Sequence, residues 1–358
     1  MNDAEMRPPT EPVYWIGVDV SKATFDATLV KPGQRYPSTP LREMPAACFE
    51  RSPKGVEAFL QWMGTLLKEV PEPHVRVVME ATGKYSITLA QWMNAQCPML
   101  APAIVNPRQA ADFIRSLGLR NTTDQLAARG LALYGAERSP QAHCALAPEY
   151  AELQSLSRYR DALVRERTAE RNRAEQSSAS KLVNTVHRLR LKQLDKALER
   201  IEAEMRAVVR RHPELAHDVD LLSSIYGVAF LTAALILAEL GDLKRFRRAR
   251  QLSAFAGLNP RMVQSGSSVR KRPRLSKQGN ARVRQALYLA AMVAIHGGNE
   301  FGRTYQRLIE NGKTPMQALG AIMRKMLTVM RAILISGKPY NALYKTSGEA
   351  DEIAPQLA

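Results

Sequence analysis

Residues 14–22 read YWIGVDVSK, and one side chain in that stretch restricts the whole fold. Apolar residues and Gly17 surround Asp19, the pattern of a strand buried in a sheet. A carboxylate is costly to bury unless hydrogen bonds or a cation answer it. The fold must therefore bring something to Asp19.

The neighbouring sequence indicates the layer that holds it. WIGVDV and TFDATLV read as antiparallel strands joined by a tight turn at Ser21-Lys22-Ala23. SPKGVEAFLQWMGTLL reads as an amphipathic helix, with Ser52 as cap and Pro53 in the first turn. VRVVME then reads as a strand ending at Glu80, YSITLAQWMNAQ as a helix, MLAPAIV as a strand, and PRQAADFIRSLG and DQLAARGLALYGAE as helices. Strands alternating with helices over 13–148 predict an α/β domain with a mixed sheet. Residues 1–12 and 345–358 read as loose tails.

From 149 to 217 the character changes to dense charge. Leu194, Leu198, Ile201, Met205 and Val208 repeat at four, three, four and three. That spacing fits a coiled-coil seam of about two heptads, and equally a helical hairpin packed on its own domain. EQSSASK reads as the turn between two helices. Residues 218–344 read as mostly α-helical. LLSSIYGVAFLTAALILAEL is expected to form two helices with Gly227 in the turn, and Glu239 interrupts its apolar run. ARQLSAFAGL, ARVRQALYLAAMVAI and TPMQALGAIMRKMLTVMRAILIS read as helices. NPRMVQSGSSVRKRPRLSKQGN reads as an irregular basic segment.

Charge narrows the partners. Lysine and arginine number 51 against 34 acids in 358 residues, a net +17. Such an excess favours polyanions, nucleic acid first and an acidic membrane second. From Gly241 to Gln285 the single acid is Asp242, among thirteen basic residues, as expected of a phosphate-contacting run rather than a mixed solvated face. Cys48, Cys97 and Cys144 have neither disulfide nor zinc spacing and read as idle thiols. The N-terminus has no apolar signal segment, and the longest apolar run is too short to span a bilayer. A soluble cytoplasmic protein is expected.

Three acids stand where they can face one cleft: Asp19 on the first strand, Glu80 at the end of a later one, and Asp124 at the start of a helix. Converging carboxylates repel, and divalent cations such as Mg²⁺ relieve them while serving phosphoryl transfer. Taken singly, each acid also reads as a turn or cap residue.

The ordered motifs IGVDVSKATFDATL, VVMEATGKY and NPRQAADFIRSLGLRNTTDQLAARGLA resemble those of the DEDD transposases of bacterial insertion sequences. RQLSAFAGLNPRMVQSGSSVRKRPRLSKQGNARVRQALYLAAM resembles that family's second transposase domain. These are the bridge-RNA-guided recombinases. The resemblance covers most of 13–148 and 219–340. It implies a RuvC-like, ribonuclease H-type first domain, with Asp19, Glu80 and Asp124 holding two Mg²⁺ ions. The family's fourth acid falls at Ala127, and Thr122 stands where a lysine is common. An impaired catalyst follows from that reading, either a natural variant or a deliberate substitution.

The resemblance further implies Ser265 as a nucleophile that becomes covalently attached to DNA. Arg270 and Lys271 would steady phosphate charge, and Arg261, Arg272, Arg274, Lys277 and Arg282 would contact nucleic acid. A serine hydroxyl needs activation. The implied site is composite, with carboxylates from one domain and serine from the other. The expected partners are target and donor DNA, a structured guide RNA, and further copies of the chain as dimers pairing into tetramers. Tyr226 replaces the proline of a Pro-Gly pair in relatives, which favours helix packing at Gly227. The competing readings are a RuvC-like junction resolvase, which would not need Ser265, and a catalytically dead RNA- or DNA-binding protein, supported by Ala127. A sugar kinase or actin-like ATPase is set aside, because Val20-Ser21-Lys22 lacks the glycine of a phosphate turn.

Overall fold

The computed structural model describes residues 12–118, 123–143, 146–176, 180–246, 248–265 and 269–340, with the backbone alone described over 261–265 and 269–273. Thr122, Cys144, residues 266–268 and nearly all of both expected tails lie outside the described residues. The chain divides into two compact units, residues 1–145 and 146–358.

The first unit is built on a five-stranded mixed sheet. Its strands are β1 (Val13–Val20), β2 (Thr24–Val30), β3 (Ala46–Glu50), β4 (His74–Glu80) and β5 (Ala103–Val105), in the order β3-β2-β1-β4-β5. β2 runs antiparallel to β1 and β3, while β4 is parallel to β1 and β5. The expected tight turn is present, with the Ser21 N–H donating to the Thr24 carbonyl at 2.9 Å. The helices are α1 (Pro53–Leu67), α2 (Lys84–Gln96), α3 (Pro107–Ser116) and α4 (Asp124–Arg138). Ser52 caps α1 by accepting from the Gly55 N–H at 3.1 Å. MLAPAIV is not one strand. A 3₁₀ turn occupies Pro98–Leu100, Ala101 is left-handed at φ 40°, and Pro102 lacks a ladder donor, so pairing begins at Ala103.

Strand alternation sorts the side chains onto two faces. Ile16, Val18, Phe25, Leu29, Val77 and Met79 pack with Val56 and Phe59 of α1 and Leu89 and Met93 of α2. Trp15 and Val78 pack with Leu131 of α4 on the other face, where Val30 meets Ala132 and Leu133. Gly17 lets α4 lie directly on β1. A Cβ there would stand 2.1 Å from the Ala128 carbonyl oxygen and 2.2 Å from the Ala132 nitrogen.

In the second unit, α5 (Pro148–Glu175) and α6 (Lys181–Arg211) form an antiparallel hairpin. Arg160 pairs with Glu202 at 2.6 Å and Arg167 with Asp195 at 3.2 Å. The heptad seam is answered inside the chain. Leu194 and Leu198 bury against Leu163 of α5, while Met205 and Val208 join the main helical core. Of the two readings of that spacing, the hairpin packed on its own domain is the one observed.

The remaining elements are α7 (Pro213–Ser223), α8 (Phe230–Leu240), α9 (Ala249–Phe255), β6 (Pro260–Ser265), β7 (Val269–Leu275), α10 (Ala281–Ala294), α11 (Glu300–Glu310) and α12 (Pro315–Ser336). Gly227 has φ +82°, and a Cβ on it would come 2.3 Å from the Ala290 carbonyl oxygen of α10, so its role is close helix packing. Glu239 of α8 is an internal hub whose side chain is 1% exposed. It accepts from Arg158 at 2.8 and 2.9 Å and from Asn280 at 2.9 Å. Asn280 also caps α10, accepting from Arg282 and Val283 N–H groups. No helix among the described residues is long and apolar enough to cross a membrane.

The basic segment expected to be irregular is a hairpin instead. β6 and β7 pair antiparallel from Pro260↔Leu275 to Ser265↔Val269. Its sequence lacks apolar alternation, and Pro273 argues against a central strand. A two-stranded ribbon has only edges, where proline and charge are tolerated.

Candidate active site on the first sheet

Register and parity assemble the site. Asp19 pairs with Asp26 across β1 and β2, and Asp26 pairs in turn with Cys48 on β3. On the other side Val18 aligns with Met79, which brings Glu80 level with Asp19. Cys48, Asp26, Asp19 and Glu80 thus form a line across four strands. Asp19 shares its face with Trp15 and Gly17, Asp26 with Val30, and Glu80 with Val78, all on the α4 side.

The N-terminus of α4 completes the group. The Thr123 side chain caps the helix by accepting from the Leu126 N–H at 3.3 Å, which makes Asp124 its first residue. An acid there is favoured by the helix dipole. Asp124, Ala127, Ala128 and Leu131 share one stripe at helical spacing, and Ala128 and Leu131 are buried on the sheet side. Ala127 is therefore on the stripe that faces the acids, and a methyl group stands at the position where the resemblance implies a fourth acid.

Burial raises the Asp19 pKa from its ordinary 3.8 to about 6, reinforced by the charges of Asp124, Glu80 and Asp26 and opposed by the Val20 N–H bond. Burial and Asp124 also raise Asp26, against a hydrogen bond from the Cys48 thiol. Burial raises Glu80. No salt bridge among the described residues reaches these acids. Among the described residues no three His, Cys, Asp or Glu side chains are gathered as tightly as a bound metal requires. The donors on this face are carboxylate oxygens, the ligand type suited to a hard divalent cation. Asp19, Glu80 and Asp124 fit such an ion by their chemistry and shared face.

Asp26 escaped the sequence reading, although a signal was present. The tight Ser21–Thr24 turn fixes the hairpin register, and register alone sets Asp26 opposite Asp19.

The other expected site residues fall in the second unit. Ser265 is the last residue of β6, and its backbone pairs with Val269. Its side chain, and those of Arg261, Arg270, Lys271 and Arg272, lie outside the described residues. Arg274 and Lys277 are exposed. Arg282 is ion-paired with Asp161 and lies 3.7 Å from Glu239. Other cations of the basic run are also engaged within the fold. Lys244 pairs with Asp218 at 3.5 Å, Arg245 donates to the Leu240 carbonyl, and Arg284 donates to those of Ala256 and Gly279.

Residues 16–177 match the IS110-type DEDD model, described as a transposase, and residues 219–306 match the transposase IS116/IS110/IS902 family. The pilin gene-inverting protein of Moraxella bovis is 29% identical over 328 residues, covering 91% of this chain and 97% of the relative. The transposase for insertion sequence element IS1111A of Coxiella burnetii is 28% identical over 274 residues, 68% and 69% of the two chains. An uncharacterized 43.6 kDa protein of insertion element IS110 from Streptomyces coelicolor is 31% identical over 142 residues, 40% and 34% of the two.

Proposed function

We infer that this chain, which belongs to the IS110-type transposases, is an RNA-guided site-specific DNA recombinase that works through a covalent phosphoserine link. The observation that carries the reading is the line of unrelieved carboxylates beneath the α4 N-terminus. Two transposase models match residues 16–177 and 219–306, and relatives of the chain are named as a transposase and as a gene-inverting protein. Inversion and insertion are both cut-and-rejoin events between two DNA sites.

Asp19, Glu80 and Asp124 would hold the divalent cation, with Mg²⁺ the expected ion. When bound, such a cation stabilises charge on the attacking and departing oxygens of a phosphoryl transfer. The Ser265 oxygen replaces one bridging oxygen of the phosphodiester, and its proton leaves with the departing strand as a hydroxyl. A hydroxyl from the partner strand reverses the exchange and frees the serine. Arg270 and Lys271 steady the phosphate during the exchange. Arg261, Arg272, Arg274 and Lys277 hold backbones, a sequence-independent contact. Arg282 acts there only if it leaves Asp161. Abundant backbone charge without a base-reading motif suits sequence choice delegated to a guide RNA. Ala127 leaves α4 one carboxylate short and lowers activity.

A denaturing-gel adduct assay tests the reading with guide RNA, target DNA, donor DNA and Mg²⁺. A denaturant-resistant protein–DNA band is expected, stronger in Ala127→Asp and absent in Ser265→Ala. Cutting that persists in Ser265→Ala, with no adduct in any form, would establish a hydrolytic resolvase instead.

A further inference from the structure

We propose that Asp26 takes the place of the carboxylate that α4 lacks at position 127, as a fourth acid of the cation site. The proposal rests on the cation reading of Asp19, Glu80 and Asp124, and it adds a residue outside the DEDD set.

Asp19 and Asp26 are direct cross-strand partners. Such pairs carry their Cβ atoms about 4.5–5.5 Å apart on one face. Two carboxylates at that separation can bracket one ion. Parity places both on the face covered by α4, whose first residue is Asp124. An aspartate at position 127 would approach the group from the helix above, whereas Asp26 approaches it from the sheet below. Position 127 brings no carboxylate from α4, and Asp26 brings one from β2, at a different angle to the group.

Among the described residues Asp26 has no ion-pair partner that would give it another task. Its recorded side-chain partner is the thiol of Cys48, an exposed residue of the edge strand β3. A buried or half-buried acid kept for structure normally has a cation or several donors. Glu239 in the second unit has both. A carboxylate set beside Asp19 and Asp124, with one weak thiol donor, is arranged for a ligand that is itself positive.

The test uses Mn²⁺ as probe and the full chain, with free Mn²⁺ followed by electron paramagnetic resonance, so no catalytic turnover is needed. Asp26→Asn should weaken Mn²⁺ binding roughly 10- to 100-fold, the range for losing a group that supports a metal site. Adding Ala127→Asp to Asp26→Asn should recover most of that loss. Asp26→Ser should repeat the Asn result, and melts in EDTA confirm that both variants fold. If Asp26→Asn binds as tightly as the native chain while Asp19→Asn does not bind, Asp26 is excluded and the cation site stands. Loss without recovery by Ala127→Asp overturns the exchange of positions. If the native chain binds no more tightly than Asp19→Asn, the cation reading fails and the proposal fails with it.

Discussion

Replacing Asp19 by asparagine should stabilise the metal-free protein, although it removes a residue central to the proposed chemistry. The folded state holds the Asp19 proton with a pKa of about 6, against an ordinary 3.8. Between those values the folded chain binds more protons than the unfolded one, so stability falls as pH rises through that window. Above it the full penalty applies. About two pKa units correspond to roughly 3 kcal/mol, at 1.36 kcal/mol per unit. Asp19 is only partly shielded from water, so about 1.5–3 kcal/mol is the working range. For a domain of this size that is roughly 5–10 °C in melting temperature.

The assay is a calorimetric or circular-dichroism melt in EDTA at pH 8 and again near pH 4. Asp19→Asn should melt above the native chain at pH 8, and the gap should close near pH 4, where native Asp19 is protonated. The asparagine oxygen can keep the Val20 N–H bond, so the comparison isolates charge. Added Mg²⁺ should raise the native melt and leave the variant nearly unmoved, because an ion that binds only the folded state stabilises by mass action. A variant that melts at or below the native temperature at pH 8 would refute the claim that Asp19 sits in an unrelieved negative field.

Gly17→Ala drives a methyl group into the α4 backbone at Ala128 and Ala132, where no side chain can yield. A loss of about 3 kcal/mol or more is expected by denaturant melt, at the upper end of overpacking costs, together with weaker Mn²⁺ binding as α4 shifts. Glu239→Ala strands the Arg158 guanidinium and frees Asn280. Arg158 is itself 46% exposed and can turn to water, so the cost should be about 1–3 kcal/mol, that of leaving donors unsatisfied, read as an earlier urea transition of the second unit.

Much of the first domain is legible in its sequence because its signals are local. Ser52 before Pro53 starts α1, and a three-residue connector fixes β1 against β2. Asp19, Glu80 and Asp124 are legible as a group because each sits at the end of an element. β3 was missed because AACFE has little alternation and its pairing partner is supplied by tertiary contact. The β6–β7 hairpin was missed for a related reason. Its strand character comes from mutual pairing, while its composition of Arg, Lys, Ser and Pro reads as loop. Asp26 needed the register as well as the pattern. Each miss depends on a pairing between segments, which local patterning does not report.

The limit is clearest for two acids that look alike in sequence. Asp19 interrupts IGVDV and Glu239 interrupts LILAEL, and both runs call for buried apolar elements. Their environments are opposite. Burial alone would raise the Glu239 pKa, but Arg158, Asn280 and Arg282 outweigh it and lower it. Burial and three like charges raise Asp19. The deciding partner of Glu239 is 81 residues away in sequence, and nothing near either acid distinguishes them. A buried carboxylate whose protein partners neutralise it is finished as a structural element, and its chemistry is spent inside the fold. A half-buried carboxylate aligned with other carboxylates has a demand for positive charge that no salt bridge among the described residues meets. Several of the chain's cations are engaged nearby in their own unit, as Arg282, Arg284 and Lys244 are. The sign of the pKa shift thus separates two acids that composition and periodicity cannot: Glu239 is answered inside the fold, and Asp19 stands among like charges.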